Sequence, residues 1–196
     1  MFDLPVLIKT FGYAGVFFAV FAESGLFIGF FLPGDSLLFT AGFLASQGFG
    51  NILILAAGSF AAAVLGDSAG YAFGKKIGPR LFSRPRSRLF RPEHARRARE
   101  FYSRHGGKAL ILARFMPVVR TFVPILAGVG EMRYPAFFFY NVAGGFLWAV
   151  GLSVSGYALG SIVPDADRYI VPIVIFIIAL SITPPMVHWM RERKKN

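Results

Sequence analysis

Four charged residues lie within two long apolar stretches of this chain, and proline interrupts both stretches. Glu23 and Asp35 belong to FAESGLFIGFFLPGDSLLFTAG, whereas Arg114 and Arg120 belong to ILARFMPVVRTFVPILAG. A charge at the centre of a bilayer costs roughly 2.5–3.5 kcal/mol even on the insertion scale that gives the lowest values. These charges therefore predict a chain that holds or moves something charged inside a membrane.

The composition supports a membrane setting. Hydrophobic residues make up 55% of the 196 residues, and the mean hydropathy is +0.57, as in integral membrane proteins. The length suits a single domain, which we take as residues 1–196. Cysteine is absent, which excludes disulfides, thiolate catalysis and cysteine-ligated metals. The sequence indicates no cofactor and no metal site.

The basic residues concentrate in a predicted loop over residues 75–108. This loop holds twelve of the 21 lysines and arginines: Lys75, Lys76, Arg80, Arg84, Arg86, Arg88, Arg91, Arg96, Arg97, Arg99, Arg104 and Lys108. Such clusters are typical of cytoplasmic loops and attract anionic lipid headgroups, so nucleic-acid binding is not needed to explain the charge. Within the loop, residues 92–104 read as a surface helix, with proline in its first turn.

An internal repeat is visible when the chain is compared with itself at an offset of 86 residues. The comparison relates units at about 10–74 and 96–160, the membrane part of the second unit being 109–160. The matches include Ala41-Gly42 with Ala127-Gly128, and Gly70-Tyr71-Ala72-x-Gly74 with Gly156-Tyr157-Ala158-x-Gly160. The glycines of the last motif are expected to permit close helix packing.

Each unit contains a proline-broken stretch followed by an uninterrupted apolar span. The spans cover 51–74 and about 136–160, each near the ~20 residues that cross a bilayer, and a C-terminal helix is predicted at 168–190. If the basic loop and the basic C-terminus both face the cytoplasm, an even number of crossings separates them. The broken stretch at 109–131 must then enter and leave on one side.

We therefore predict an all-α integral membrane protein with two inverted repeats. Each repeat consists of a re-entrant helical hairpin and a transmembrane helix, and a C-terminal transmembrane helix follows. A turn at Pro33-Gly34 would let Glu23 and Asp35 approach each other, and a turn near Pro117 or Pro124 would bring the arginines together. Proline frees backbone groups, which is tolerable at membrane depth only where protein or water covers them.

Several motifs of this chain resemble those of the DedA family. Members of that family share a domain with the eukaryotic SNARE-associated Golgi, or VTT, proteins. The motifs are E-x11-D with its acid in PGD, R-F-x-P-x-x-R-x-x-x-P-x-x-A-G, and N-x-x-G-x-x-x-W at Asn141, Gly144 and Trp148. The resemblance covers about residues 12–160, with Val118 where several members have glycine. It implies phospholipid movement, and in bacteria the return of undecaprenyl phosphate across the cytoplasmic membrane. It also implies that Glu23, Asp35, Arg114 and Arg120 are the functional charges.

Two interpretations of the four charges stay open. In the first, they form buried salt bridges that lock the two hairpins together, and apolar replacements would be nearly neutral. In the second, Arg114 and Arg120 bind a lipid phosphate through their planar guanidinium groups. Glu23 and Asp35 would then compete for the arginines, and proton uptake by an acid would release an arginine to the phosphate.

Three further residues of the apolar spans carry expectations of their own. Asp67 is a third acid within an apolar span, and it lies either near the membrane interface or in the site. Asn141 is expected to bond the backbone of a hairpin. Trp148 is expected to serve packing or the membrane interface.

Four classes of function differ in how well they fit these observations. The leading one is a flippase-type or scramblase-type translocase of a lipid phosphate in the bacterial cytoplasmic membrane, multi-pass, with a cytoplasmic C-terminus. A proton-coupled transporter of small ions or solutes is the alternative. A lipid phosphatase lacks a suitable nucleophile and acid–base pair, so we expect no enzyme. In a membrane scaffold, the charges would serve only to hold the helices together. The sequence leaves oligomeric state open, including a homo-oligomer.

Overall fold

The structure of the protein is a computed structural model. It describes residues 4–25, 34–81, 100, 102 and 107–162. Pro33, the C-terminal helix predicted at 168–190 and most of the basic loop lie outside these ranges. Within them, the structure contains helices and turns and no β-strand. The all-α prediction is therefore confirmed for the described residues.

Seven α-helices are named here in chain order: α1 (Leu4–Gly25), α2 (Gly34–Leu44), α3 (Ile52–Leu81), α4 (Lys108–Ala113), α5 (Pro117–Val129), α6 (Tyr134–Gly145) and α7 (Gly151–Ile162). Two π-helical turns accompany them. One extends α2 over Ala45–Phe49, and the other joins α6 to α7 over Phe146–Val150. The helices α6 and α7 thus form one continuous segment.

Among the described residues, two helical segments are long and apolar enough to cross a membrane, as predicted. They are Ile52–Gly78 and Tyr134–Ile162. The first extends past the predicted end at residue 74, because α3 continues to Leu81. The end of a helix is set by its backbone hydrogen bonds and not by its last apolar residue. Lysine is a good helix former, and its charge suits a helix C-terminus. The helix thus continues through the first seven residues of the segment predicted as the basic cytoplasmic loop, whose start at residue 75 stays a prediction.

The arginine-containing stretch is broken as predicted, but at only one of the two proposed prolines. Helix α4 ends at Ala113, a turn spans residues 114–116, and Pro117 begins α5. Proline suits the first position of a helix, where its missing N–H is not needed. Pro124 lies inside α5 and makes no turn, so that alternative is wrong. Re-entry into the membrane stays a prediction, because it depends on the bilayer.

The long helices pack in a crossed arrangement. Helix α3 packs against α1 and against α5, whereas α2 packs against α7. The short helix of each unit therefore lies against the long helix of the other unit. At both crossings a glycine of the short helix meets the facing backbone: a Cβ on Gly42 would overlap the carbonyl oxygen of Ser153, and a Cβ on Gly128 would overlap that of Tyr71. Such close approach is open only to the smallest residues.

The glycines of the long helices show that the two crossings match each other with a changed register. Gly74 lies against Ile125 of α5, and Gly156 lies against Phe39 of α2. Ile125 and Phe39 are 86 residues apart, but Gly74 and Gly156 are 82 apart. The alignment of Gly74 with Gly160 is thus displaced by about one helical turn. Four residues return a helix to nearly the same face, and Gly160, like Gly156, lies against the segment of α2, at Phe43. The matching contacts favour a repeat, and its inversion stays a prediction.

The distribution of charge and apolar surface is that of a membrane protein. Large apolar side chains lie on the outside, among them Phe18, Leu53, Leu65, Leu112, Phe139 and Ile162. Of the charged residues in the two proline-broken stretches, Glu23, Arg114 and Arg120 turn inward, whereas the side chain of Asp35 is 42% exposed. Asp67 is also buried. The remaining charged side chains whose exposure the structure describes are exposed: Lys75, Lys76, Glu100, Lys108, Glu131 and Arg133. Exposed apolar faces of this kind suit contact with lipid.

Candidate functional site

Arg120 bridges the two acids of the first unit. Its Nη2 donates to Oε1 of Glu23, and its Nη1 donates to Oδ1 of Asp35 at 2.6 Å. The side chains of Arg120 and Glu23 are 10% and 2% exposed, whereas that of Asp35 is 42% exposed. Arg120 therefore joins the two proline-broken stretches. Of its two acid partners, Glu23 is buried and Asp35 is partly exposed.

The helix ends position the two acids. Glu23 lies in the last turn of α1, and Asp35 lies in the first turn of α2. A Cβ on Gly34 would overlap the carboxylate of Glu23, so only glycine lets α2 begin this close to the acid. The N-terminus of a helix carries a partial positive charge, which stabilises a carboxylate beside it. Gly34 therefore supports the site by its small size.

Trp148 is the third partner of this group, and it lies in the π-helical turn between α6 and α7. Its Nε1 donates to Oδ1 of Asp35 at 2.6 Å, and its ring lies 5.0 Å from Cζ of Arg120. An arginine over an indole face gains a cation–π attraction. π-Helical turns are frequent at functional sites because the extra residue re-aims a side chain. Trp148 thus contacts both members of the Asp35–Arg120 pair.

Arg114 has a separate set of partners. Its Nη2 donates to Oδ2 of Asp67 and to Oδ1 of Asn141, the second at 2.5 Å. The amide nitrogen of Asn141 donates in turn to the carbonyl oxygen of Val64 at 3.0 Å. All three side chains are buried, with Asp67 6% and Asn141 2% exposed. The amide of Asn141 therefore fixes Arg114 against α3, where Asp67 compensates its charge.

A small cavity lies between the two arginine groups. It is lined by Ser24, Asp67, Arg114, Arg120 and Trp148, and it has room for about one water molecule. The cluster around it contains three acids (Glu23, Asp35 and Asp67) and two arginines, which leaves one excess negative charge when all are ionised. This arrangement can bind an oxyanion only if an acid moves away or takes up a proton.

The structure brings together most of the predicted site residues and changes some partnerships. Glu23, Asp35 and Arg120 meet, as the proline-broken stretches suggested. Arg114 does not share these acids: Asp67 is its partner, which places Asp67 in the cluster and not at an exposed interface. Asn141 bonds the backbone of α3, not that of a hairpin, because its helix crosses α3 there. Pro117 starts α5, and Pro124 is a buried residue within it.

Sequence reasoning missed the part played by Trp148. The tryptophan is 3% exposed and belongs to a hydrophobic core cluster, so the packing alternative is confirmed and the interface alternative is wrong; its hydrogen bond to Asp35 was not predicted. A usable signal was its spacing from Asn141: seven residues are about two helical turns, which puts both side chains on nearly the same face.

The chain is similar to several known membrane proteins. The VTT domain matches residues 32–158. Protein DedA of Escherichia coli (strain K12) is 40% identical over 196 residues, covering 97% of this chain and 89% of that protein. Uncharacterized membrane protein ML0287 of Mycobacterium leprae is 40% identical over 90% of this chain and 80% of its own. Inner membrane protein YghB of Escherichia coli (strain K12) is 35% identical, with 87% and 77% covered. No solved structure gives a significant match.

Proposed function

Because the chain belongs to the DedA family of VTT-domain membrane proteins, we propose that it is a lipid translocase of the bacterial cytoplasmic membrane. It moves a lipid phosphate between the leaflets without covalent chemistry, and undecaprenyl phosphate is the substrate that we propose from the family resemblance. The observation that carries the proposal is Arg120, a buried arginine held by two acids beside a cavity.

Arg120 suits a phosphate for reasons of geometry and charge. A guanidinium presents several N–H donors in one plane and binds phosphate oxygens in pairs, which a lysine cannot do. Arg114 lines the same cavity and supplies a second positive charge, although Asp67 compensates most of it. In the proposal Arg120 makes the first contact with the phosphate, and Arg114 binds on the far side of the cavity.

The acids hold the arginines while no phosphate is bound. With Asp35 displaced, the charges of Glu23, Asp67, Arg114 and Arg120 cancel. A phosphate monoester carries about −1.5 to −2 at pH 7, so its arrival leaves excess negative charge. Proton uptake by Glu23 or another acid of the cluster lowers that excess by one charge. The proposal therefore includes a proton-linked role for Glu23 and Asp35.

The proposed arrangement in the membrane follows the sequence-based topology. The broken stretches form re-entrant hairpins in two inverted repeats, and the cluster lies near the bilayer midplane, where broken helices commonly build binding sites. The basic loop and the C-terminus face the cytoplasm, and the loop contacts anionic lipid headgroups. The crossed packing of each short helix on the other unit's long helix supports this arrangement.

The test is flipping of undecaprenyl phosphate in proteoliposomes that contain equal amounts of folded protein. Arg120→Ala and Glu23→Gln are expected to reduce flipping to the level of protein-free liposomes. Arg133→Ala is the matched control, because Arg133 is an exposed arginine outside the cluster. Wild-type protein that flips no lipid above the protein-free level would overturn the proposal.

The second candidate is a proton-coupled transporter of small ions or solutes. The excess acid in the cluster is the observation that favours it, since buried acids in transporters commonly carry protons. The same proteoliposomes separate the two candidates. Movement of a small cation driven by a pH gradient, without flipping of lipid, would favour the solute transporter.

A further inference from the structure

Two N–H donors from different parts of the chain converge on a single oxygen atom. Oδ1 of Asp35 accepts from Nη1 of Arg120 and from Nε1 of Trp148, each at 2.6 Å. One donor comes from α5 and the other from the π-helical turn after α6. Two convergent donors, one of them charged, form a seat for one oxygen of an anion. In this structure a carboxylate oxygen occupies the seat.

Asp35 is the member of the cluster that is best placed to leave. Its side chain is 42% exposed, whereas the side chains of Glu23 and Arg120 are 2% and 10% exposed. A carboxylate that moves outward into water recovers its hydration, but a carboxylate released inside the protein does not. The exchange of Asp35 for another anion is therefore much easier than the exchange of Glu23.

We infer that Asp35 occupies the seat of a substrate phosphate oxygen, and that Trp148 is a phosphate-binding residue. When the phosphate displaces Asp35, its oxygen accepts from Nε1 of Trp148 and from Nη1 of Arg120. The indole ring keeps Arg120 in place from one side throughout the exchange. This inference rests on the proposed function, because it names a further ligand of the same phosphate.

The surroundings of the seat select a phosphate monoester over a diester. The cavity beside the seat has room for only about one water molecule, and Ser24, Asp67 and Arg114 line it together with Arg120 and Trp148. The single substituent of a monoester can leave through the exposed side that Asp35 vacates. A diester has a second substituent, for which this small cavity has no room.

The experiment uses tryptophan as its own reporter. The chain contains two tryptophans, Trp148 and Trp189, so the full-length Trp189→Phe protein reports on Trp148 alone. Geranyl phosphate, a short prenyl monoester, is titrated into this protein in detergent. A saturable change in the emission of Trp148 is expected, since its N–H exchanges a carboxylate for a phosphate. The methyl diester of geranyl phosphate and inorganic phosphate are each expected to leave the emission unchanged.

Transport kinetics supply a second, independent readout. Trp148→Phe keeps an aromatic ring over Arg120 but removes the N–H donor. We expect KM for undecaprenyl phosphate to rise by up to about tenfold with little change in kcat: a hydrogen bond to the charged phosphate is lost, and the loss of the same bond to Asp35 offsets part of the rise. Trp148→His retains a ring N–H and is expected to recover part of that loss. Leu147→Ala is the control: its side chain is 54% exposed on the same turn, and KM should not change.

The outcomes distinguish the inference from the function on which it rests. If wild-type protein flips the lipid, but Trp148→Phe keeps the wild-type KM and Trp148 emission ignores geranyl phosphate, the inference is wrong and the proposed function survives. If wild-type protein flips no lipid, the proposed function fails first. An emission response to inorganic phosphate alone would overturn the lipid assignment in favour of a small-anion site. Should Trp148→Phe not fold, the titration of Trp189→Phe decides alone.

Discussion

Arg114 donates to the carboxylate of Asp67, an acid in the interior of the long helix α3. Both side chains are buried, at 7% and 8% exposed. This pair joins the break between α4 and α5 to the long helix of the other unit. The pair therefore holds the helices together and also lines the cavity. Substitutions can separate its role in stability from its role in phosphate binding.

Asp67→Leu is expected to lower the free energy of unfolding by about 3–5 kcal/mol, because it leaves the buried charge of Arg114 without a charged partner. The double substitution Asp67→Leu with Arg114→Met removes both charges and should recover most of that loss. Unfolding in mixed detergent micelles measures both values. A double variant no more stable than Asp67→Leu would contradict the structural role.

Transport by the same double variant tests the functional role of Arg114. We expect flipping of undecaprenyl phosphate to fall at least about tenfold although stability is recovered, since a charge-assisted hydrogen bond to phosphate is lost. Flipping is compared at equal amounts of folded protein. A stable double variant with wild-type flipping would restrict Arg114 to holding the helices together.

The crossing of α2 and α7 gives a prediction about stability alone. A Cβ on Gly156 would overlap the carbonyl of Phe39, whereas a Cβ on Gly151, in the same helix, meets no atom within 4 Å. Gly156→Ala should destabilise the protein by about 1–3 kcal/mol, as overpacking does. Gly151→Ala should be neutral or raise stability by about 0.5–1 kcal/mol, because alanine favours helix. Thermal unfolding of the two variants checks the difference, and equal effects would argue against the close crossing.

The parts of the fold that sequence predicted are those encoded locally. The spans at Ile52–Gly78 and Tyr134–Ile162 follow from apolar runs of sufficient length, and the break before Pro117 follows from backbone chemistry. The meeting of Glu23, Asp35 and Arg120 was anticipated because unpartnered charges are costly in a membrane. Roles in transport stay predictions, since no described contact involves a substrate.

The parts that sequence missed depend on contacts between distant helices. The sequence allows Asp67 an interfacial position because Lys75 follows it closely, but α3 continues past Lys75 and Asp67 is buried in the packing. Trp148 meets Asp35 across 113 residues, through the crossing of the two units and a π-helical turn. Apolar periodicity predicts that such a residue is buried but says nothing about its partner.

Arg120→Lys tests whether the fork of the guanidinium matters or only its charge. Arg120 reaches Glu23 and Asp35 through two different nitrogens, and the single nitrogen of a lysine cannot reproduce both contacts with the same geometry. We expect flipping to fall about tenfold or more while the protein stays folded. Arg133→Lys, at an exposed position, is the control. Full activity of Arg120→Lys would mean that only the positive charge is required.

The different exposures of the two acids predict different kinetic defects. Asp35→Asn weakens the competitor of the phosphate, so we expect KM for undecaprenyl phosphate to fall about tenfold, the size of a lost charge-assisted contact. Glu23→Gln removes the buried charge that holds Arg120 and, in the proposal, takes up a proton, so kcat should fall instead. Initial flipping rates measured against the mole fraction of the lipid separate KM from kcat. If both variants lower kcat equally and leave KM unchanged, Asp35 does not compete with the phosphate, and the two acids act only together as a support for Arg120.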